Sequence, residues 1–132
     1  SKIAGDVRLL GSGPRTAIAE LVLPANEPGS SIMPGKVNPT QCEALIMVCA
    51  QVVANDVAIA LAGLGGQLQL NACKPLFAFN LLRSIRWLAD AARSFERHCI
   101  ADLALDAERT RAHLENSLML ATALAPVLGY DE

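Results

Sequence analysis

Apolar residues recur at helical spacing in four separate stretches of the chain. The pattern predicts helices over residues 2–10, 40–62, 74–99 and 106–125. In the third of these, apolar positions three or four residues apart form one stripe: Phe77, Leu81, Ile85, Leu88, Ala92, Phe95 and Cys99. A polar stripe lies beside it, in which Asp90 is within pairing range of Arg86 and Arg93. The pattern therefore favours long amphipathic helices.

Local residue preferences indicate where the later helices begin and end. Pro39 suits a first helical turn, and Thr40 and Glu43 have the spacing of a capping box. Asp106 is expected to cap the last helix, which is predicted to end before Pro126. Some apolar side chains of that helix are expected to face inward: Leu114, Leu118 and Ala121.

A long irregular segment separates the first two helices. Residues 11–39 contain five of the seven prolines and four of the nine glycines, and 17–23 is predicted to form a short extended piece. Connections of this length are uncommon inside compact domains and are usually functional. The predicted fold class is therefore all-α, a long-helix bundle preceded by a long functional loop.

The composition is unusually apolar for a soluble domain. The 132 residues are 52% hydrophobic and 18% charged, with a mean hydropathy of +0.34, whereas soluble domains carry about 25% charged residues. A membrane span, a subunit buried in an oligomer and a piece of a larger protein would each account for it. Residues 44–73 are long enough to cross a membrane, but six Asn, Asp and Gln side chains and three glycines interrupt them. We therefore expect a core helix, in which Asn55 and Asp56 are buried and hydrogen-bonded.

Charge and cysteine content exclude several classes of function. The net charge is −2, from 11 basic and 13 acidic residues, so nucleic-acid binding is not expected. The cysteines at positions 42, 49, 73 and 99 have neither CxxC nor metal-ligand spacing. We interpret them as reduced, mostly buried thiols of a cytoplasmic protein and predict no metal site and no cofactor. The N-terminus has no signal-peptide core and no initiator methionine, which fits a processed or excised chain.

Residues 26–39 carry the groups of a candidate anion site. The hydroxyls of Ser30 and Ser31, the ammonium of Lys36 and the amide of Asn38 lie within nine residues, directly before a predicted helix. Each group can bind an anionic substrate, and the free N–H groups at a helix start favour negative charge. The spacing alone leaves a turn-rich surface loop as an equal alternative.

A longer motif around these residues resembles a known family. Residues 29–39 are similar to the GSSxMPxKxNP signature of the aspartase/fumarase superfamily. The segments 26–28, 39–45 and 116–120 resemble class II fumarate hydratase, whereas 66–71 is closer to the aspartase version. The resemblance covers essentially the whole chain and implies a partial central helical domain. The activity it implies is the reversible hydration of fumarate to L-malate, a reaction of the tricarboxylic acid cycle.

The resemblance also implies a role for each residue of the motif. Ser30 matches the family's catalytic base. Ser31, Lys36, Val37 and Asn38 match residues that bind the carboxylates of the substrate. A serine is a poor base unless its alkoxide is stabilised, and the backbone N–H groups of the loop and Lys36 are candidates for that stabilisation.

Glu43 matches the family's acidic residue that polarises an active-site histidine, and this role is compatible with closing a capping box. Neither His98 nor His113 lies in a segment where the family keeps that histidine, which is expected outside this chain. The resemblance further implies a homotetramer that acts on a small dicarboxylate in the cytoplasm, without a membrane or nucleic-acid partner. The isolated chain is expected to be inactive. Two alternatives stay open: an aspartase or another lyase of the superfamily, and a helical assembly fragment without catalytic activity.

Overall fold

Two long helices, the second and third in chain order, dominate the protein. The computed structural model describes residues 1–13, 15–27, 29 and 32–129. Helix α1 spans Lys2–Leu10, α2 spans Thr40–Leu64, and α3 spans Lys74–Phe95 and continues into a π-helical turn, Glu96–Ile100. The predicted all-α class is confirmed.

The remaining elements are short. Strands β1, Leu21–Val22, and β2, Ala104–Leu105, pair in antiparallel fashion. Helix α4 spans Ala107–Glu115, and a 3-10 helix, Leu118–Leu124, leads into α5, Ala125–Leu128. Of the extended piece predicted over residues 17–23, only the two residues of β1 form a strand.

The prediction of one helix over 106–125 is wrong. Asp106 does cap α4, since its Oδ1 accepts a hydrogen bond of 2.9 Å from the Arg109 backbone N–H. The helix then ends at Glu115, and the side chain of the C-cap residue Asn116 donates to the Ala112 carbonyl at 2.8 Å. Ser117 caps the following 3-10 helix by accepting from the Met119 N–H at 3.2 Å. Hydrogen bonds between these two short polar side chains and the backbone thus replace those that would continue the helix. The apolar residues predicted to face inward are exposed: Leu114, Leu118 and Ala121.

Helices α2 and α3 form an antiparallel hairpin whose contact is partly polar. Gln41 accepts a hydrogen bond of 2.8 Å from Ser94, and further along the pair Asn55 donates to Ser84 Oγ at 3.0 Å. Asn55 is buried and also accepts from Gln51 at 3.1 Å, which confirms its predicted burial. The same prediction is wrong for Asp56, which is exposed because the next residue of a helix points about 100° away.

The apolar stripe predicted on α3 faces two different environments. Phe95 and Cys99 are buried at the C-terminal end. Leu81, Ile85 and Leu88 are exposed, because α3 packs on α2 through a neighbouring face. The residues of that packed face are mainly small, polar or aromatic: Asn80, Ser84, Trp87, Ala91 and Ser94.

The start of α2 is not the predicted capping box. Pro39 occupies the N-cap position, and Thr40 is the first helical residue. The Thr40 Oγ1 is buried and has no hydrogen-bond partner among the residues described. Glu43 forms an ion pair with Arg8 of α1 instead of closing a box with Thr40.

A small core joins α1, the start of α2 and the end of α3. Its buried members are Ala4, Cys42, Phe95 and Cys99. Partly buried apolar side chains pack around it: Val7, Leu23, Leu45 and Ile46. Since this core lies directly beside the two ends of the irregular segment, it sets the position of the loop that carries the candidate chemistry.

The segment before that loop, residues 15–22, is held against α4 and β2 by hydrogen bonds. The Asp106 N–H donates to the Glu20 carbonyl at 2.8 Å, directly after the β1–β2 ladder. The Glu20 carboxylate lies 2.8 Å from His113 Nδ1, and Arg109 donates to the Arg15 carbonyl at 3.2 Å. His113 therefore has a structural contact that ties α4 to the strand.

Much of the apolar surface of the long helices has no cover within the described residues. Exposed apolar side chains of α2 include Met47, Val53, Val57, Leu61 and Leu64. By length and composition alone, α2 is the one helix of the described chain that could span a membrane. Its polar contacts with α3, through Gln41 and Asn55, show that one of its faces packs against protein.

The four cysteines are free thiols, as predicted, although they differ in burial. Cys42 and Cys99 are buried in mutual contact, and Cys49 and Cys73 are half-buried. Burial raises the pKa of the Cys42 thiol to about 12, and the adjacent Cys99 acts in the same direction. Burial also raises the pKa of Cys99.

We expect Cys42 and Cys99 to resist alkylation in the folded protein. Only thiolates react, and a rise in pKa from 9.0 to about 12 lowers the thiolate fraction of Cys42 at pH 8 by about a thousand-fold. Its rate of modification is therefore expected to increase with pH throughout the accessible range. Mass-spectrometric mapping after iodoacetamide treatment of folded and urea-unfolded protein measures this. Labelling of folded Cys42 as fast as that of the half-buried Cys73 would contradict the expectation.

Candidate functional site

The loop between β1 and α2 is anchored at both ends by asparagine side chains. Asn26 Nδ2 donates to the His98 carbonyl at 2.8 Å, which ties the start of the loop to the π-helical turn. Asn38 Nδ2 donates to the Gly29 carbonyl at 3.1 Å, which draws the end of the loop back towards its start. Gly29 and Asn38 therefore lie together directly before the first turn of α2.

The two ends of the loop meet where the backbone of Gly29 contacts that of Lys36, and we call this contact the neck. It requires glycine at position 29. A Cβ atom built on Gly29 would lie 1.9 Å from the Lys36 carbonyl oxygen, well inside any tolerated contact. The two backbones can approach this closely because Gly29 has no side chain. Gly35, with φ +73°, makes the turn that precedes Lys36 in a conformation that L side chains rarely adopt.

The structure brings three of the predicted binding residues to one end of the loop. Lys36 and Val37 are exposed and Asn38 is half-buried. The Lys36 N–H donates to the Met33 carbonyl at 3.3 Å, so its backbone is held in a turn while its side chain reaches solvent. The predicted base, Ser30, and the predicted binding residue Ser31 lie outside the described residues. In sequence they directly follow the glycine of the neck.

Glu43 lies one turn into α2, close in sequence to the end of the loop. Its backbone N–H donates to the Pro39 carbonyl at 3.0 Å, and its carboxylate is 3.3 Å from Arg8 Nη2. A carboxylate in the first turn of a helix is favoured by the helix dipole. Sequence reasoning missed Arg8 because it lies 35 residues earlier and on another helix, so no local spacing rule connects the two residues.

The two histidines of the chain make contacts that do not involve the predicted binding residues of the loop. His98 contributes its backbone carbonyl to the anchor of Asn26, and its side chain is exposed. His113 pairs with Glu20. Among the residues that the structure describes, no group of three or more His, Cys, Asp or Glu side chains could hold a metal ion.

The arrangement is suited to binding an anion at the loop. Lys36 presents a positive charge, the start of α2 adds the positive end of a helix dipole, and the ion pair with Arg8 offsets the negative charge of Glu43. Hydrogen bonds from Asn26 and Asn38 hold the loop's backbone at these two points, and so position its described ends.

Comparison with known proteins gives matches over nearly the whole chain. A family model described as "Lyase" matches residues 1–54. The class II fumarate hydratase of Pseudomonas putida is 63% identical over 131 residues, which are 99% of this chain and 28% of that protein. The mitochondrial fumarate hydratase of Schizosaccharomyces pombe is 61% identical over 130 residues, 98% of this chain and 25% of that protein.

A solved structure agrees with these sequence matches. The crystal structure of recombinant class II fumarase from Schistosoma mansoni superposes with a TM-score of 0.95 at 52% identity, covering 98% of this chain and 27% of that one. The chain thus spans about a quarter of the length of the curated relatives it matches.

Replacing Gly29 with alanine is expected to open the neck of the loop. The added Cβ would collide with the Lys36 carbonyl, and the Asn38–Gly29 hydrogen bond would be lost as the backbones separate. Trypsin cleaves after lysine, and its cleavage rate follows the population of locally opened protein. We therefore expect the rate of cleavage at Lys36 to increase on the order of tenfold.

The matched control for this variant is Gly5→Ala in α1. A Cβ at Gly5 meets nothing within 4 Å, and alanine is the better helix former by about 0.5–1 kcal/mol. Cleavage at Lys36 is expected to be unchanged in the control. Equal cleavage rates in Gly29→Ala and the unsubstituted protein would show that the neck does not hold the loop closed.

Proposed function

We propose that the protein is a class II fumarate hydratase, which catalyses the reversible hydration of fumarate to L-malate; in sequence and fold the chain matches one segment of proteins with that name. The proposal makes it a hydro-lyase. The observation that carries it is the close contact of Gly29 with Lys36 and Asn38, which lie directly before the first turn of α2. The similarity to proteins named fumarate hydratase extends over this loop and the helices that hold it.

The proposed chemistry is easiest to follow from L-malate to fumarate. A base removes a proton from the carbon next to one carboxylate, which leaves a doubly charged aci-carboxylate. The electron pair of the aci-carboxylate then forms the carbon–carbon double bond of fumarate, while the hydroxyl group of the neighbouring carbon takes up a proton from solvent and leaves as water. Ser30 is the proposed base, acting as an alkoxide. An alkoxide requires nearby donors and positive charge, and Lys36 at the end of the same loop supplies that charge.

The other residues of the loop are proposed to bind the substrate. Ser31, Lys36, Val37 and Asn38 would contact its carboxylates through hydroxyl, ammonium, backbone and amide groups. Lys36 stabilises the charge that develops on the aci-carboxylate more than the charge of bound malate, and such differential stabilisation lowers the reaction barrier. Asn38 also closes the neck, so it links the loop's shape to substrate binding.

Glu43 is proposed to polarise the active-site histidine. We propose that this histidine lies outside the chain, because neither His98 nor His113 lies in a segment where the family keeps it, and the His113 ring is already paired with Glu20. The ion pair with Arg8 uses Glu43 Oε1, and a carboxylate has a second oxygen that can accept a hydrogen bond from another donor.

The exposed apolar faces of α2 and α3 support an oligomeric protein, which we propose to be a homotetramer. Leu81, Ile85 and Leu88 of α3 and Leu61 and Leu64 of α2 are exposed, and apolar patches of this kind mark interaction surfaces. We further propose a cytoplasmic location, a small dicarboxylate as the only partner besides further subunits, and no cofactor.

The aspartase alternative differs in the nucleophile that adds to fumarate. Water gives L-malate and ammonia gives aspartate, so supplying the full-length protein with fumarate in the presence and absence of ammonia separates the two activities. The relatives named fumarate hydratase at 61–63% identity favour water.

The 132-residue chain alone is expected to show no turnover. It spans about a quarter of the curated relatives it matches, and the proposed site takes its histidine from elsewhere. The loss of fumarate absorbance in the ultraviolet measures hydration. Malate formation by the isolated chain, at a rate proportional to its concentration, would contradict this expectation.

In the full-length protein, Ser30→Ala and Lys36→Ala are each expected to lower kcat by about 10²–10³-fold, because they remove the base and the charge that stabilises the transition state. Circular dichroism is expected to be unchanged, since the Lys36 side chain is exposed. The control is Lys74→Ala, an exposed lysine at the start of α3, for which near-normal kcat is expected. A Ser30→Ala variant with near-normal kcat would defeat the assignment of the base.

A further inference from the structure

Arg8 and Glu43 meet across the contact between α1 and α2. Arg8 Nη2 lies 3.3 Å from Glu43 Oε1. We infer that Arg8 is a positioning residue, which holds the Glu43 carboxylate in the orientation from which it acts on the active-site histidine. This inference rests on the role of Glu43 in the proposed function.

The backbones that carry the two side chains are fixed relative to each other. Ala4, one turn before Arg8, and Cys42, directly before Glu43, are both almost fully buried in the small core. Arg8 lies in the last turn of α1 and Glu43 in the first turn of α2, so each charge also complements the dipole of its own helix. The geometry of the ion pair is therefore determined by the packing of the helices.

Stability is a weak explanation for this ion pair. The side chains are 54% and 41% exposed, and exposed pairs contribute little to folding because water and salt screen them. An unpaired glutamate at the same position would exchange among several rotamers. The specific consequence of pairing is that one carboxylate oxygen is fixed, and with it the direction in which the other oxygen points.

The other charged groups near the start of α2 do not replace Arg8. Among the residues described, the ion pair of Glu43 is with Arg8 alone. Cys42 and Cys99 are neutral thiols, because burial raises the pKa of each. On α3, Asp90 is held by Arg93 at 3.5 Å. Removing Arg8 therefore leaves Glu43 without a cation at contact distance.

The test is the split between kcat and KM in the full-length protein. Arg8→Ala is expected to lower kcat about tenfold, because a misdirected carboxylate weakens the chemical step, and to leave KM within about twofold because Arg8 does not contact substrate. Arg8→Lys retains the charge without the planar fork of the guanidinium and is expected to restore part of the loss. Arg8→Gln, which keeps a hydrogen-bond donor and most of the side-chain stem, serves if the alanine variant does not fold.

Two further variants separate this inference from the proposed function. In a Glu43→Gln background, Arg8→Ala is expected to cause no additional loss, because the two residues act as one unit. The matched control is Arg93→Ala, which removes an arginine from another exposed ion pair and is expected to leave kcat and KM unchanged. An equal loss of kcat in both backgrounds, or a rise in KM alone, would overturn the positioning role. If Glu43→Gln itself retained normal kcat, the role of Glu43 in the proposed function would be the one that fails.

Discussion

The burial of Cys42 against α1 and the end of α3 is the contact on which the candidate site depends. Its side chain is fully buried in the core with Ala4, Phe95 and Cys99. One helical position away, Glu43 is directed to Arg8. Because Cys99 belongs to the π-helical turn that also presents the His98 carbonyl to Asn26, the same small core fixes both ends of the loop. A change in the packing of two thiols would therefore displace the loop as a whole.

The helices could be predicted from the sequence because their signal is local. Apolar spacing located α1, α2 and α3, and Asp106 was correctly identified as a cap. The break after Glu115 was also present in the sequence, as the polar pair Asn116-Ser117, but the apolar spacing on either side outweighed it. Two short polar side chains that bond to the backbone are stronger evidence for a helix end than continued apolar spacing is for a helix.

Other features could not be predicted because they depend on which elements meet. Periodicity identifies an apolar stripe on α3 but does not say which neighbour covers it, and Leu81, Ile85 and Leu88 are exposed while Ser84 and Trp87 face α2. The capping box had the right spacing, yet Pro39 takes the cap position and Glu43 pairs with Arg8. In the site, the motif located the candidate groups of the loop, whereas Arg8 becomes visible only when α1 and α2 are packed together. The apolar excess of the composition has the same origin, since much of the apolar surface of α2 and α3 has no cover among the described residues.

The pairing of Glu43 with Arg8 also offsets the repulsion that the Glu43 carboxylate would exert on an anionic substrate. The proposed substrate is a dianion, and a free carboxylate beside its site would repel it, by about 1 kcal/mol at 4 Å even in water and by more where the dielectric constant is lower. A guanidinium at 3.3 Å offsets that charge, while the loop keeps its own cation, Lys36, at the exposed end. The neck, in turn, is closed by the backbones of Gly29 and Lys36 and by the amide of Asn38, so closing it does not consume the ammonium group. The contacts that close the neck are thus separate from the positive charge that we propose meets the substrate, so the end of the loop is held in place without using the ammonium group of Lys36.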